Sequence, residues 1–155
     1  MNQLIGKTLL IGYGNPGRLD DGLGGALAER AQQLGIAQLT VESCYQLAVE
    51  YAEQAAGFDV VIFADAAING PEPFDWKRIE PQMTIAFSTH HVSPQTILGL
   101  AQNVFESKVE GFALAIRGYE FDDFGERLSP QAQVNLTAAL QHVESLFRKA
   151  CCQTR

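Results

Sequence analysis

Two adjacent acids, Asp20-Asp21, follow the glycine-rich stretch Gly12-Tyr13-Gly14-Asn15-Pro16-Gly17-Arg18-Leu19. A third acid, Asp65, ends the apolar run Val60-Val61-Ile62-Phe63-Ala64. Two of the chain's three histidines, His90 and His91, stand side by side shortly before Ser93-Pro94. Carboxylates and imidazole together suit a borderline divalent metal such as nickel or zinc. They also suit general acid–base chemistry. An Asp at a helix start can equally serve as a cap that accepts backbone N–H bonds. One acid of the pair is therefore expected to cap while the other points into a cleft. An acid at a strand end can be a solvated residue. A histidine can be structural, and His142, inside the last helical pattern among polar neighbours, is read as a surface residue.

The elements that must position these residues are legible as an alternating pattern. Thr8–Tyr13 is a short apolar run ending near glycine and reads as a buried strand. Apolar residues at helical spacing from Asp21 to Leu34 predict a helix that Gly35 stops. Leu39–Ser43 reads as a second strand and Leu47–Ala56 as a second helix. Val60–Ala64 reads as a central strand with Asp65 at its carboxyl end. Phe74–Ile79 is expected at an edge, and Thr84–Phe87 leads into the histidine pair. Ser93-Pro94 opens a helix, with Ser93 as cap and proline in the first turn; that helix is expected to reach about Phe105. Phe112–Ile116 reads as the last parallel strand. A loop with four acidic residues, Gly118–Leu128, precedes a final helix from Ser129-Pro130 to about Lys149. Strand and helix in alternation imply an α/β three-layer sandwich, a mostly parallel twisted sheet with helices on both faces. Ligands bind at the carboxyl ends of such strands. Asp21, Asp65 and the histidine pair are thus expected on one edge of one sheet.

Composition bounds the rest. The chain has 155 residues, 46% of them apolar and 19% charged, which suits a single domain of residues 1–155 with one core. A net charge of −7 argues against nucleic-acid binding and against docking on anionic membranes. The start has no signal-peptide pattern, and no apolar run is long enough to span a bilayer. Three scattered cysteines, Cys44, Cys151 and Cys152, do not suggest a disulfide framework. The adjacent Cys151-Cys152 pair is expected in a frayed end. The expected setting is the cytoplasm, and the expected state a monomer.

Other chemistries fit less well. Gly12, Gly14 and Gly17 match dinucleotide spacing, but two acids sit where a pyrophosphate would go, and no acid ends the second strand. There is no Gly-x-Ser-x-Gly elbow, and Cys44 lacks a local nucleophile motif.

The stretch Gly12–Gly24 resembles the opening motif of the nickel-iron hydrogenase maturation endopeptidases. The resemblance continues, in order, through Phe63-Ala64-Asp65-Ala66, Thr89-His90-His91-Val92-Ser93-Pro94 and Glu126-Arg127-Leu128-Ser129-Pro130. It implies an endopeptidase that removes the C-terminal extension of a hydrogenase large subunit after nickel insertion. It also implies that Asp21, Asp65 and His91 contact nickel belonging to the precursor rather than a permanent cofactor. The spacing to proline favours His91, with His90 as the alternative ligand. The same residues would serve a chaperone that binds the precursor without cutting it. Peptidyl-tRNA hydrolases share the Gly-Asn-Pro-Gly turn, but they place a histidine soon after it, and here none precedes His90.

Overall fold

The computed structural model describes residues 6–82 and 92–153, with side chains in the last helix described as far as Phe147. Five strands, β1 (Thr8–Tyr13), β2 (Leu39–Cys44), β3 (Val60–Ala67), β4 (Phe74–Ile79) and β5 (Glu110–Arg117), form one sheet in the order β2-β1-β3-β5-β4. All neighbours pair parallel except β4, which runs antiparallel along β5 at the edge. The helices are α1 (Leu23–Gln33), α2 (Tyr51–Ala56), α3 (Pro94–Asn103) and α4 (Pro130–Gln153).

Alternation along each strand divides the core in two. Leu10, Ile62, Leu114 and Ile116 face α1 and α4, where they meet Leu27, Leu136 and Val143. Leu9, Ile11, Val61 and Phe63 face α2 and α3, where they meet Ala52, Ala55, Ile97 and Leu98. Central strands therefore carry apolar residues on both faces and read as continuous runs, as a covered parallel sheet requires. The architecture is the expected α/β sandwich.

The boundaries differ in informative ways. The first helical segment begins as a 3-10 turn, Leu19–Gly22, and becomes α-helical only at Leu23. Helix α2 is confined to Tyr51–Ala56; the preceding stretch from Leu47 is a connection whose Leu47 side chain is buried. Strand β3 continues three residues past Ala64, because β5 is long enough to pair with Asp65, Ala66 and Ala67 through Ala115, Ile116 and Arg117. Asp65 therefore lies within a strand, not at its end. Ser93 caps α3 as expected, accepting from the Thr96 N–H at 3.1 Å. The backbone of α4 continues to Gln153, so Cys151-Cys152 lies in helix rather than beyond it. His142 is not a surface residue: its half-buried ring packs on Trp76 and Phe74, with centroids 4.7 and 5.1 Å away. The polar sequence around His142 hid the fact that β4 supplies an aromatic surface beneath it. The stretch Thr84–Phe87, expected to lead into the histidine pair, lies outside the described residues. Among the described residues, no helix is long and apolar enough to cross a membrane.

Candidate active site

The site begins with how closely α1 approaches the sheet. A Cβ on Gly24 would lie 2.4 Å from the Tyr13 carbonyl oxygen and 2.5 Å from that of Ala64. Only glycine lets the first turn of α1 lie against β1 and β3. At Gly14 the chain leaves β1 with φ +134°, a conformation glycine adopts readily, and a Cβ there would meet the Asp21 carbonyl oxygen at 2.2 Å. The turn thus folds back on itself and delivers both acids to the carboxyl end of the sheet.

The two acids part company there. Asp20 is fully buried and accepts four hydrogen bonds. Its Oδ2 accepts from the backbone N–H groups of Tyr119 at 2.8 Å and Glu120 at 3.0 Å, and from the Ser129 hydroxyl at 2.7 Å. Its Oδ1 accepts from the Ser129 N–H at 2.8 Å. Burial alone would raise the pKa of this carboxyl; the hydrogen bonds from Ser129, Glu120 and Tyr119 oppose it and hold the pKa below the ordinary value. Asp20 is therefore not a cap for α1, whose N-cap is Gly22 with no side-chain bond. It ties the acidic loop between β5 and α4 to the turn after β1. No local pattern could show this, because its partners lie about a hundred positions away in the chain.

Asp21 takes the other direction. Its Oδ2 accepts from the Asn15 N–H at 2.8 Å, which fixes the carboxylate across its own turn. Asn15 is held in place in turn, its Oδ1 accepting from the Gly17 N–H at 2.9 Å. Asp21 and Asp65 both line a cavity of about 520 Å³, together with Tyr13, Arg18, Tyr45 and Val92. Burial pushes the Asp65 carboxyl up to about 6; the neighbouring Asp21 charge adds to this, while hydrogen bonds from the Ala66 N–H and Tyr13 oppose it. The Ala66 N–H donates to Asp65 Oδ1 at 2.8 Å.

Tyr13 is a site residue that motif reading passed over. Gly12 pairs with Ala64, so the next register step sets Tyr13 beside Asp65 on the same face of the sheet. A side-chain hydrogen bond joins them, and burial first, then the Asp65 charge, drives the phenol pKa well above its usual value. The available signal was positional: Tyr13 ends β1 as Asp65 ends the apolar part of β3.

His90 and His91 lie outside the described residues. Val92, which follows His91 in the chain, is on the cavity wall. Among the described residues, no three His, Cys, Asp or Glu side chains converge to hold a metal ion. Cys44 is a free thiol paired in register with Tyr13.

No protein-family model matches the chain, and no curated protein matches it. Solved structures do. The [NiFe] hydrogenase maturation protease HycI from Thermococcus kodakarensis superposes with a TM-score of 0.71 at 20% identity, over 92% of each chain. The hydrogenase maturating endopeptidase HybD from E. coli gives 0.64 at 20% identity, over 93% of each chain. A hydrogenase 2 maturation peptidase from a Thaumarchaeota archaeon gives 0.66 at 19% identity, over 90% of this chain and 97% of that one. The strand order and the covered sheet thus make up the fold of these nickel-iron hydrogenase maturation proteases.

Proposed function

We propose that this protein is an endopeptidase that cuts the C-terminal extension from a nickel-iron hydrogenase large subunit after nickel insertion, working in the cytoplasm and recognising the bound nickel. The observation that carries this reading is the meeting of Asp21, from the turn after β1, and Asp65, from within β3, in one cavity of a protein with this fold. The donor chemistry fits. Two carboxylates sharing a cavity repel each other, as the Asp21 charge acting on Asp65 records, and a divalent cation relieves that repulsion. Oxygen donors with one imidazole suit nickel. The nickel belongs to the substrate, and Asp21, Asp65 and His91 would contact it, with His90 as the alternative to His91.

In this reading a carboxylate of the pair acts as general base toward a water molecule that attacks the scissile carbonyl. Asp65 is suited to that part: it is half-buried in the cavity and its carboxylate is held by the Ala66 N–H and Tyr13. Tyr13 orients it.

The decisive experiment mixes the purified protein with nickel-loaded large-subunit precursor and follows the mass of the precursor. Loss of a peptide at one bond, dependent on nickel, is the expected result. Tight binding with no change of mass would replace the protease by a nickel-dependent chaperone.

A further inference from the structure

The cavity that holds Asp21 and Asp65 has another charged wall residue, Arg18. Its guanidinium has a modest commitment elsewhere: Nη2 donates to the Phe121 carbonyl oxygen at 3.3 Å. Among the described residues no carboxylate forms an ion pair with Arg18. The two acids of its own cavity are otherwise engaged, Asp21 with the Asn15 N–H and Asp65 with the Ala66 N–H and Tyr13.

The backbone beneath Arg18 is built to hold this position. Leu19, the next residue, has φ +54°, a conformation that side-chain-bearing residues rarely adopt. It persists because the far loop clamps it. The Leu19 N–H donates to the Gly125 carbonyl oxygen at 2.9 Å, the Gly125 N–H to Gly17 at 2.8 Å, and the Asp20 N–H to Glu120 at 2.9 Å. Strain held by surrounding structure, beside a cavity, is a mark of functional placement.

A chemical role follows from what the acidic wall groups lack, since Tyr45 and Gln46 add only neutral donors. Ionised carboxylates only accept hydrogen bonds. The Tyr13 hydroxyl is taken by Asp65, and the Gly14 N–H donates to the Cys44 carbonyl oxygen at 3.1 Å. Arg18 is the one charged donor among the described wall residues. A guanidinium offers several N–H groups in a rigid fork and remains charged at any working pH.

We propose that Arg18 is a catalytic residue of the peptide cleavage proposed above, and that its guanidinium binds the oxygen of the scissile carbonyl. The inference rests on that reading. When water adds through its oxygen to the carbonyl carbon, the C=O π pair moves onto the carbonyl oxygen, and the Arg18 N–H groups bind the negative charge. The proton released by the water passes to a carboxylate of the pair. The oxygen then returns its electron pair, the C–N bond breaks with its electrons going to nitrogen, and the nitrogen takes that proton. The products are a new C-terminal carboxyl group and a free amine.

The test measures kcat and KM on nickel-loaded precursor for wild type, Arg18→Ala and Arg18→Lys. Arg18→Ala is expected to lower kcat on the order of 10²–10³-fold, the usual loss of one oxyanion donor, with little change in KM. Arg18→Lys keeps the charge without the fork and is expected to fall between the two. Added ethylguanidinium, below denaturing concentration, is expected to restore part of the Arg18→Ala rate, which a merely structural role would not allow. A wild-type kcat in Arg18→Ala, a loss confined to KM, or a loss that neither lysine nor ethylguanidinium relieves overturns the proposal. Should Arg18→Ala fail to fold, Arg18→Gln is measured in its place against the same outcomes. The wild-type control separates the two readings. No wild-type cleavage removes the protease itself, whereas wild-type cleavage with an unaffected variant removes only the role of Arg18.

Discussion

The Asp20 carboxylate takes both hydrogen-bond donors of Ser129, the backbone N–H at 2.8 Å and the hydroxyl at 2.7 Å. This one residue pair joins the turn after β1 to the start of α4, across most of the chain. Removing the carboxylate leaves the two buried donors of Ser129, and the part-buried N–H groups of Tyr119 and Glu120, without this partner, at about 1–3 kcal/mol for each buried unsatisfied group. Asp20→Ala is expected to lose about 3 kcal/mol or more in denaturant unfolding, and Ser129→Ala about 1 kcal/mol, since the backbone bond survives.

The same pair sets an acid-side pH dependence. The folded pKa of Asp20 lies below its unfolded value, so the ionised carboxylate stabilises the fold. That contribution is full above the unfolded pKa and is lost as pH falls through the folded one. The wild-type protein should therefore lose Tm on acidification more steeply than Asp20→Asn, which scans of both across the acid range would reveal.

Asp65 works in the opposite sense. Its folded pKa, about 6, lies above its unfolded value, so the protonated form is the one the fold favours. That stabilisation is full below the unfolded pKa and is gone once pH rises through 6. Asp65→Asn should therefore unfold at a higher temperature than wild type at pH 7, by about 2 kcal/mol of stability, and show little gain at pH 4. Carbon-detected NMR of the Asp65 carboxyl should give a midpoint near 6 in the wild type. Asp21→Asn should move that midpoint down, because the Asp21 charge helps to raise it. An unmoved midpoint would mean that the carboxylates do not interact.

Stability and function should separate at the pair. Asp21→Asn, Asp65→Asn and His91→Ala are each expected to stop processing of nickel-loaded precursor while leaving the circular dichroism spectrum unchanged. Three fully active variants would end the proposed role of these residues.

Gly24 offers a purely steric test. Its missing side chain lets α1 lie against the carbonyls of Tyr13 and Ala64, at 2.4 and 2.5 Å from where a Cβ would stand. Backbone cannot yield as a flexible side chain can. Gly24→Ala is expected to cost about 3 kcal/mol, at the upper end of overpacking penalties, despite the better helix propensity of alanine. Gly25→Ala, one residue on, meets nothing within 4 Å and should stabilise the helix by about 1 kcal/mol. Equilibrium unfolding of the two variants side by side would decide it.

Much of this protein was legible in its residues. The apolar runs Thr8–Tyr13 and Val60–Ala64, with the helical spacing between them, determined buried parallel strands and covering helices, because a strand covered on both faces must be apolar throughout. The edge position of Phe74–Ile79 and the Ser93 cap followed from equally local chemistry. So did the meeting of Asp21 and Asp65, since the turn after β1 and the carboxyl-terminal half of the adjacent parallel β3 lie toward one edge of the sheet. Tertiary structure alone decided what each acid does. Asp20 and Asp21 are identical neighbours in sequence, yet one is buried under the loop before α4 and the other faces the cavity. The extension of β3 past Asp65, the seat of His142 against Trp76 and the place of Tyr13 beside Asp65 have the same origin. Each depends on a partner distant in the chain, and side-chain periodicity reports which face a residue takes, not what will be waiting there.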